Sequence, residues 1–149
     1  YARASSPRPC APCGMNVVLD TNVLVSGVFW SGPASRILEL WAKDKIEVVV
    51  SPEILTEYQR LLVEMERERS AGLADAWTVF IAQHATVLHP VSRPRLCRDP
   101  DDDKFLHCAL SAGVRVVITG DKDLLSMGRV ADVDLLTPTA FLRHYTHAR

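Results

Sequence analysis

From Met15 onward the chain alternates short β-branched apolar runs with longer stretches of helical spacing. Val17-Val18-Leu19 is a short apolar run that stops at Asp20. Pro33 to Lys43 places Ile37, Leu38 and Trp41 on one helical stripe, and Ile46 to Val50 reads as a second strand. Ser51-Pro52 then joins a hydroxyl cap to a proline suited to a first helical turn. The helix after it runs through Ile54, Tyr58, Leu61, Leu62 and Met65. A further helical pattern covers Ala74 to Gln83, and Thr86-Val87-Leu88 reads as a short strand. Asp99-Pro100 opens another helix, and Gly113 is placed to end it. Val114 to Ile118 is a strand leading into Thr119-Gly120-Asp121, Val133 to Leu136 is the last strand, and Pro138 begins a terminal helix. Such alternation predicts an α/β fold with a mostly parallel sheet and helices on both faces. Phe29 and Trp30 read as part of a Gly-bounded loop, suited to core or dimer packing more than to stacking on bases. Residues 1–14 show no periodicity and are rich in Pro, Ser and Ala; they read as a disordered tail or an expression-derived segment, with the domain at 15–149.

The acids stand out against this pattern. In an open parallel sheet the functional crevice lies beyond the carboxyl ends of the strands. Asp20 directly follows the first strand and Asp121 follows the Val114–Ile118 strand, so both belong at one edge; either alone also reads as a plain helix cap. In the run Asp101-Asp102-Asp103, a helical projection at about 100° per residue centres Asp102 on the stripe of Phe105, Leu106, Ala109 and Leu110. It turns Asp101 and Asp103 toward water. An inward carboxylate is costly unless it is paired or holds a metal. Glu57 lies at the edge of its helical stripe near the end of the second strand. Its neighbour Glu53 has a ready role as a first-turn acid.

Composition narrows the chemistry. With 17 Lys and Arg against 18 Asp and Glu the net charge is −1, so bulk positive charge does not draw this chain to nucleic acid. Any grip on phosphate has to be local, and Arg95, Arg98, Lys104 and Lys122 flank the acidic segments. The four cysteines include Cys10 and Cys13, but no second pair completes a zinc site, and the five histidines are scattered. No apolar run approaches the ~20 residues of a membrane helix, which makes a cytoplasmic protein with no membrane partner the expectation. Carboxylates from separate elements meeting at one edge suit Mg²⁺ or Mn²⁺. Such a site cleaves phosphodiesters, and it equally suits a phosphotransfer domain with an aspartyl-phosphate at Asp20. A non-catalytic RNA or protein interaction module is a further alternative, opposed by the cost of keeping idle inward charges.

Four segments together resemble the PIN-domain nucleases, especially the VapC-like toxins of toxin–antitoxin pairs. They are Val18-Leu19-Asp20-Thr21-Asn22, Ser51-Pro52-Glu53-Ile54-Leu55-Thr56-Glu57-Tyr58, Asp99-Pro100-Asp101-Asp102-Asp103-Lys104-Phe105-Leu106 and Val117-Ile118-Thr119-Gly120-Asp121-Lys122-Asp123-Leu124-Leu125. The resemblance implies a three-layer α/β/α sandwich and a metal-dependent endoribonuclease that leaves 5′-phosphate and 3′-hydroxyl ends. It implies catalytic and metal-binding roles for Asp20, Glu57, Asp102 and Asp121, with Asp123 as a secondary metal ligand. Asn22 and Thr119 fall at supporting positions that orient the carboxylates. The implied partners are RNA, an antitoxin protein and a second copy of the chain in a homodimer, with Arg98 and Lys122 along the substrate groove.

Overall fold

The computed structural model describes residues 15–91 and 94–148; the tail at 1–14, with Cys10 and Cys13, lies outside the described residues. Strands β1 (Met15–Leu19), β2 (Ile46–Val50), β3 (Thr86–Val87), β4 (Val116–Ile118), β5 (Arg129–Val130) and β6 (Val133–Leu136) form one sheet in the order β3-β2-β1-β4-β6-β5. All pairings are parallel except the β5–β6 hairpin. Val17–Leu19, Val48–Val50 and Val116–Ile118 are buried without alternation, as central parallel strands covered on both faces must be. The apolar runs of the sequence therefore become the middle of the sheet.

Helices α1 (Thr21–Phe29) and α2 (Pro33–Ala42) connect β1 to β2, and α3 (Pro52–Arg69) and α4 (Ala74–His84) connect β2 to β3. A 3-10 turn at Pro100–Asp102 leads into α5 (Asp103–Ala112), which packs across β1, β2, β4 and β6. Helix α6 (Lys122–Met127) follows β4, and α7 (Pro138–Ala148) closes the chain against α2. From β1 the chain winds outward to β3, then crosses back to β4 and β6. The winding direction changes between β1 and β4, and that boundary is where an open parallel sheet leaves a crevice.

Helix α6 and strand β5 are not in the sequence reading, and β4 starts at Val116 rather than Val114; two further places differ from it. Helix α1 spans a segment to which the pattern assigns no element, and its last residue is Phe29, read as loop. Thr21, Val23, Leu24, Val25 and Val28 are all buried, so the helix is apolar over most of its circumference and carries little amphipathic signal. Its Gly27 is a point of close approach: a Cβ there would stand 2.8 Å from the Ala34 carbonyl oxygen and the Leu38 side chain of α2. Trp30, 43% exposed, carries the Arg69 guanidinium 4.4 Å above its ring. The acidic run is the second difference. Asp103 does not face water; it is 8% exposed, and its Oδ1 accepts the Leu96 and Cys97 N–H groups at 3.0 and 2.7 Å. The helical projection misplaces it because the segment at Leu96 and Cys97 lies against that side of the helix and takes the carboxylate as its hydrogen-bond acceptor, a contact no helical period encodes.

Candidate active site

The carboxyl ends of β1 and β4 are tied together by the chain that follows them. The Asp20 N–H donates to the Ile118 carbonyl at 2.9 Å, and the Thr119 N–H donates to Leu136 at 2.8 Å. Asp20 and Asp121 then act as N-caps of α1 and α6, accepting from Asn22 and Asp123 N–H groups at 3.3 and 2.8 Å. The capping reading of these acids is met, and both stand at one edge of the sheet: the cap fixes the side chain, and the strand end fixes its place. Helix α3 is pinned to the same edge by Tyr58, whose buried hydroxyl donates to the Leu19 carbonyl at 2.6 Å.

A small cavity of about 100 Å³ opens here, lined among others by Asp20, Glu57, Asp102 and Asp121. The structure brings these acids together from the ends of β1 and β4, from α3 and from the start of α5. Asp20 is 5% exposed, and the Thr119 hydroxyl donates to its Oδ2 at 2.6 Å. Burial raises its pKa against the pull of the hydrogen bonds from Thr119 and Asn22, and the charges of Asp121 and Glu57 raise it further. Asp102 is 8% exposed, and its Oδ2 is enclosed without a hydrogen-bond partner. Its pKa is pushed up to about 7, first by burial and then by the adjoining Asp121 carboxylate, with Asp99 and Asp20 adding. Asp103, one residue on, behaves oppositely. Burial works to raise its pKa, but hydrogen bonds from the Cys97 thiol and from the Cys97 and Leu96 N–H groups, with His107 nearby, hold it below the ordinary value.

Glu57 differs from the cavity aspartates in having cationic partners as well as a hydroxyl donor. Oε1 accepts from the Thr21 hydroxyl at 2.5 Å, and Oε2 faces Lys104 Nζ at 3.4 Å and Arg60 at 3.8 Å. Thr21 and Lys104 are positioning residues that sequence reasoning missed or left among generic surface cations. Contacts spanning 36 and 47 positions leave no local signature. Helical spacing also sets Lys104 about 200° from Asp102, on the far side of the helix.

The remaining sequence candidates sit at the rim. Asp123 is exposed, lies outside the cavity lining and pairs with Arg98 at 3.0 Å. Lys122 is exposed in the first turn of α6. Thr119 supports Asp20 through its side chain, whereas Asn22 does so through its backbone N–H.

The donor set is all oxygen and carries an orphaned buried carboxylate oxygen, which fits a hard divalent cation. Among the described residues no three acid, His or Cys side chains converge into a ready ligand set, so holding an ion requires the aspartates to turn inward. With one lysine among five acids, Asp101 being the fifth, the cavity lining carries surplus acidic groups for such an ion to neutralise.

An acid-lined cavity thus lies at the switch point of a parallel α/β sheet. Residues 16–123 match the PIN domain family, and the chain belongs to that family, whose members are nucleases. It is 30% identical over 136 residues to the uncharacterized protein MJ1680 of Methanocaldococcus jannaschii, covering 84% of this chain and 86% of that one. Its fold is that of VapBC2 from Rickettsia felis, solved bound to a DNA fragment from their promoter, with a TM-score of 0.58, 15% identity, and 83% of this chain and 98% of that one covered. It also matches VapC20 of Mycobacterium tuberculosis, described as a Sarcin-Ricin loop cleaving toxin, with a TM-score of 0.52, 18% identity, and 79% and 98% coverage. No helix among the described residues is long and apolar enough to cross a membrane.

Proposed function

We propose that this protein is a Mg²⁺- or Mn²⁺-dependent endoribonuclease, with Asp20, Glu57, Asp102 and Asp121 as its active-site acids. The observation that carries the reading is Asp102: a carboxylate buried at a sheet edge with an oxygen no protein group satisfies, next to two further buried or half-buried aspartates. Such a group costs stability and is retained where a cation completes it. When bound, the ion supplies an activated water and charge neutralisation at the phosphate. The chain's own residues do the orienting. The Thr119 hydroxyl and the Asn22 N–H fix the Asp20 carboxylate, and Thr21 fixes Glu57. Asp20 is held on both oxygens, a posture suited to an oriented ligand and poorly suited to the free nucleophile an aspartyl-phosphate requires.

RNA as the substrate is supported by the likeness to VapC20, which is named for cleaving the Sarcin-Ricin loop. The same likeness, with that to VapBC2, supports a toxin held by an antitoxin. We read the chain further as cytoplasmic and homodimeric, with two acidic edges along one RNA groove. Arg98 and Lys122 lie at the rim of that groove. The test is cleavage of structured and single-stranded RNA with Mg²⁺ or Mn²⁺. New 5′-phosphate ends that vanish in EDTA are expected, and undiminished cleavage in EDTA by nuclease-free protein overturns the reading.

A further inference from the structure

Lys104 is an unusual cation for an acidic cavity. It is 8% exposed, and its Nζ donates to the Asp101 carbonyl at 2.5 Å, faces Glu57 Oε2 at 3.4 Å and lies 5.0 Å from the centre of the Phe105 ring. A lysine head seldom enters a protein interior without a specific charge to meet. Here the charge it meets is that of Glu57, whose other oxygen accepts from Thr21. The aspartates differ: Asp102 Oδ2 has no donor at all, and Asp20, Asp102 and Asp121 line the same cavity with no ion pair to any of them among the described residues. The cavity thus divides into a neutralised half around Glu57 and an unneutralised half around the aspartates.

We propose that Lys104 is a built-in cation standing where a second metal ion would otherwise sit: it neutralises and aims Glu57, and leaves Asp20, Asp102 and Asp121 as the seat of a single divalent ion. The inference rests on the nuclease reading and deepens it. A fixed ammonium beside Glu57 repels a second dication across a few ångströms of low-dielectric interior, so one ion binds and a second does not. The same ammonium remains within the cavity to meet a phosphate oxygen of the substrate, as a point charge with three donors. Lys104 is a positioning residue for Glu57, and its charge matters more than its shape.

The test is titration of the full chain with Mn²⁺, following the electron paramagnetic resonance signal of free Mn²⁺, which reads occupancy without RNA. Wild type is expected to bind one ion per chain. Lys104→Met, which keeps an unbranched stem against Phe105, is expected either to take up a second ion or to bind the first about three- to tenfold more tightly, since a repelling charge is gone. Lys104→Arg keeps one ion and wild-type affinity within about threefold. Glu57→Gln keeps the ion, whereas Asp102→Asn loses at least about tenfold in affinity, with thermal melts confirming that each variant is folded. Two ions in wild type, weaker binding in Lys104→Met, or equal losses in Glu57→Gln and Asp102→Asn overturn the proposal. Absence of RNA cleavage by wild type with these Mn²⁺ results intact overturns the nuclease reading alone.

Discussion

The two edges of the sheet form a natural control for each other. At the amino edge, Met15, Asn16, Gly113, Arg115, Asp134 and His144 line a cavity of about 490 Å³. At the carboxyl edge the acids line one of about 100 Å³. The larger cavity carries ordinary surface chemistry: Arg115 and His144 are exposed, and Asp134 pairs with Arg129 at 3.6 Å across the β5–β6 hairpin. The smaller one buries Asp20, Asp102 and Lys104, and leaves a carboxylate oxygen unsatisfied. Size therefore does not single out the candidate edge. What does is charge placed against the preference for solvation, at the point where the winding of the sheet changes direction.

Substitutions at the two edges break the comparison most sharply. Asp20→Asn and Asp121→Asn are expected to lower RNA cleavage by about 10²–10³, the usual effect of removing one electrostatic group from such a site. Asp134→Asn is expected to leave it within about twofold. Equal losses at both edges, measured as cleavage rates on one RNA, would show that the substitutions act through the sheet and not through a site.

Within the carboxyl edge, Asp102 and Asp103 separate function from support. Asp103 holds two backbone N–H groups, so Asp103→Asn is expected to cost about 1–2 kcal/mol and lower the melting temperature by several degrees. Asp102→Asn is expected to raise the melting temperature of the metal-free protein by about 3–6 °C near pH 8. Destabilisation by Asp102→Asn in EDTA would contradict the account of its environment.

The pH dependence follows with its sign. The Asp102 pKa lies at about 7 in the fold against an ordinary value of 3.8, and that of Asp20 is also raised. A raised acid favours the fold while protonated. This stability is complete below the unfolded value and is lost as pH rises through about 7. Metal-free protein is therefore expected to melt lower at pH 8 than at pH 5.5, with the slope flattened in Asp102→Asn. The smallest effect belongs to the rim. Because net charge is −1, attraction for RNA has to be local, and Arg98→Gln or Lys122→Gln is expected to weaken binding by about two- to fivefold and to reduce its salt dependence. RNA binding indifferent to salt would remove the groove.

Much of the fold was legible because strands buried on both faces leave unbroken apolar runs: β2, β6 and the starts of α3 and α7 fall where the pattern places them. Helix α1 was not legible because burial around most of its circumference erases the helical period. Among the site candidates, the inward placement of Asp102 and the shared edge of Asp20 and Asp121 followed from strand ends and helical projection. Asp103 and Lys104 did not, because what encloses them comes from elsewhere in the chain: Leu96 and Cys97 meet Asp103, and Glu57 meets Lys104. The Thr21–Glu57 contact joins two helices far apart in sequence, and no local spacing encodes it.

The central claim is that the unsatisfied carboxylate of Asp102 belongs to a metal-dependent RNA-cleaving site. The most direct measurement is the single-turnover rate of RNA cleavage by wild type and Asp102→Asn, each folded by its melting curve, in Mg²⁺ and again after EDTA. The account predicts cleavage by wild type in Mg²⁺, about 10²–10³ slower cleavage by the variant, and none by either in EDTA. Cleavage by Asp102→Asn at the wild-type rate would contradict it.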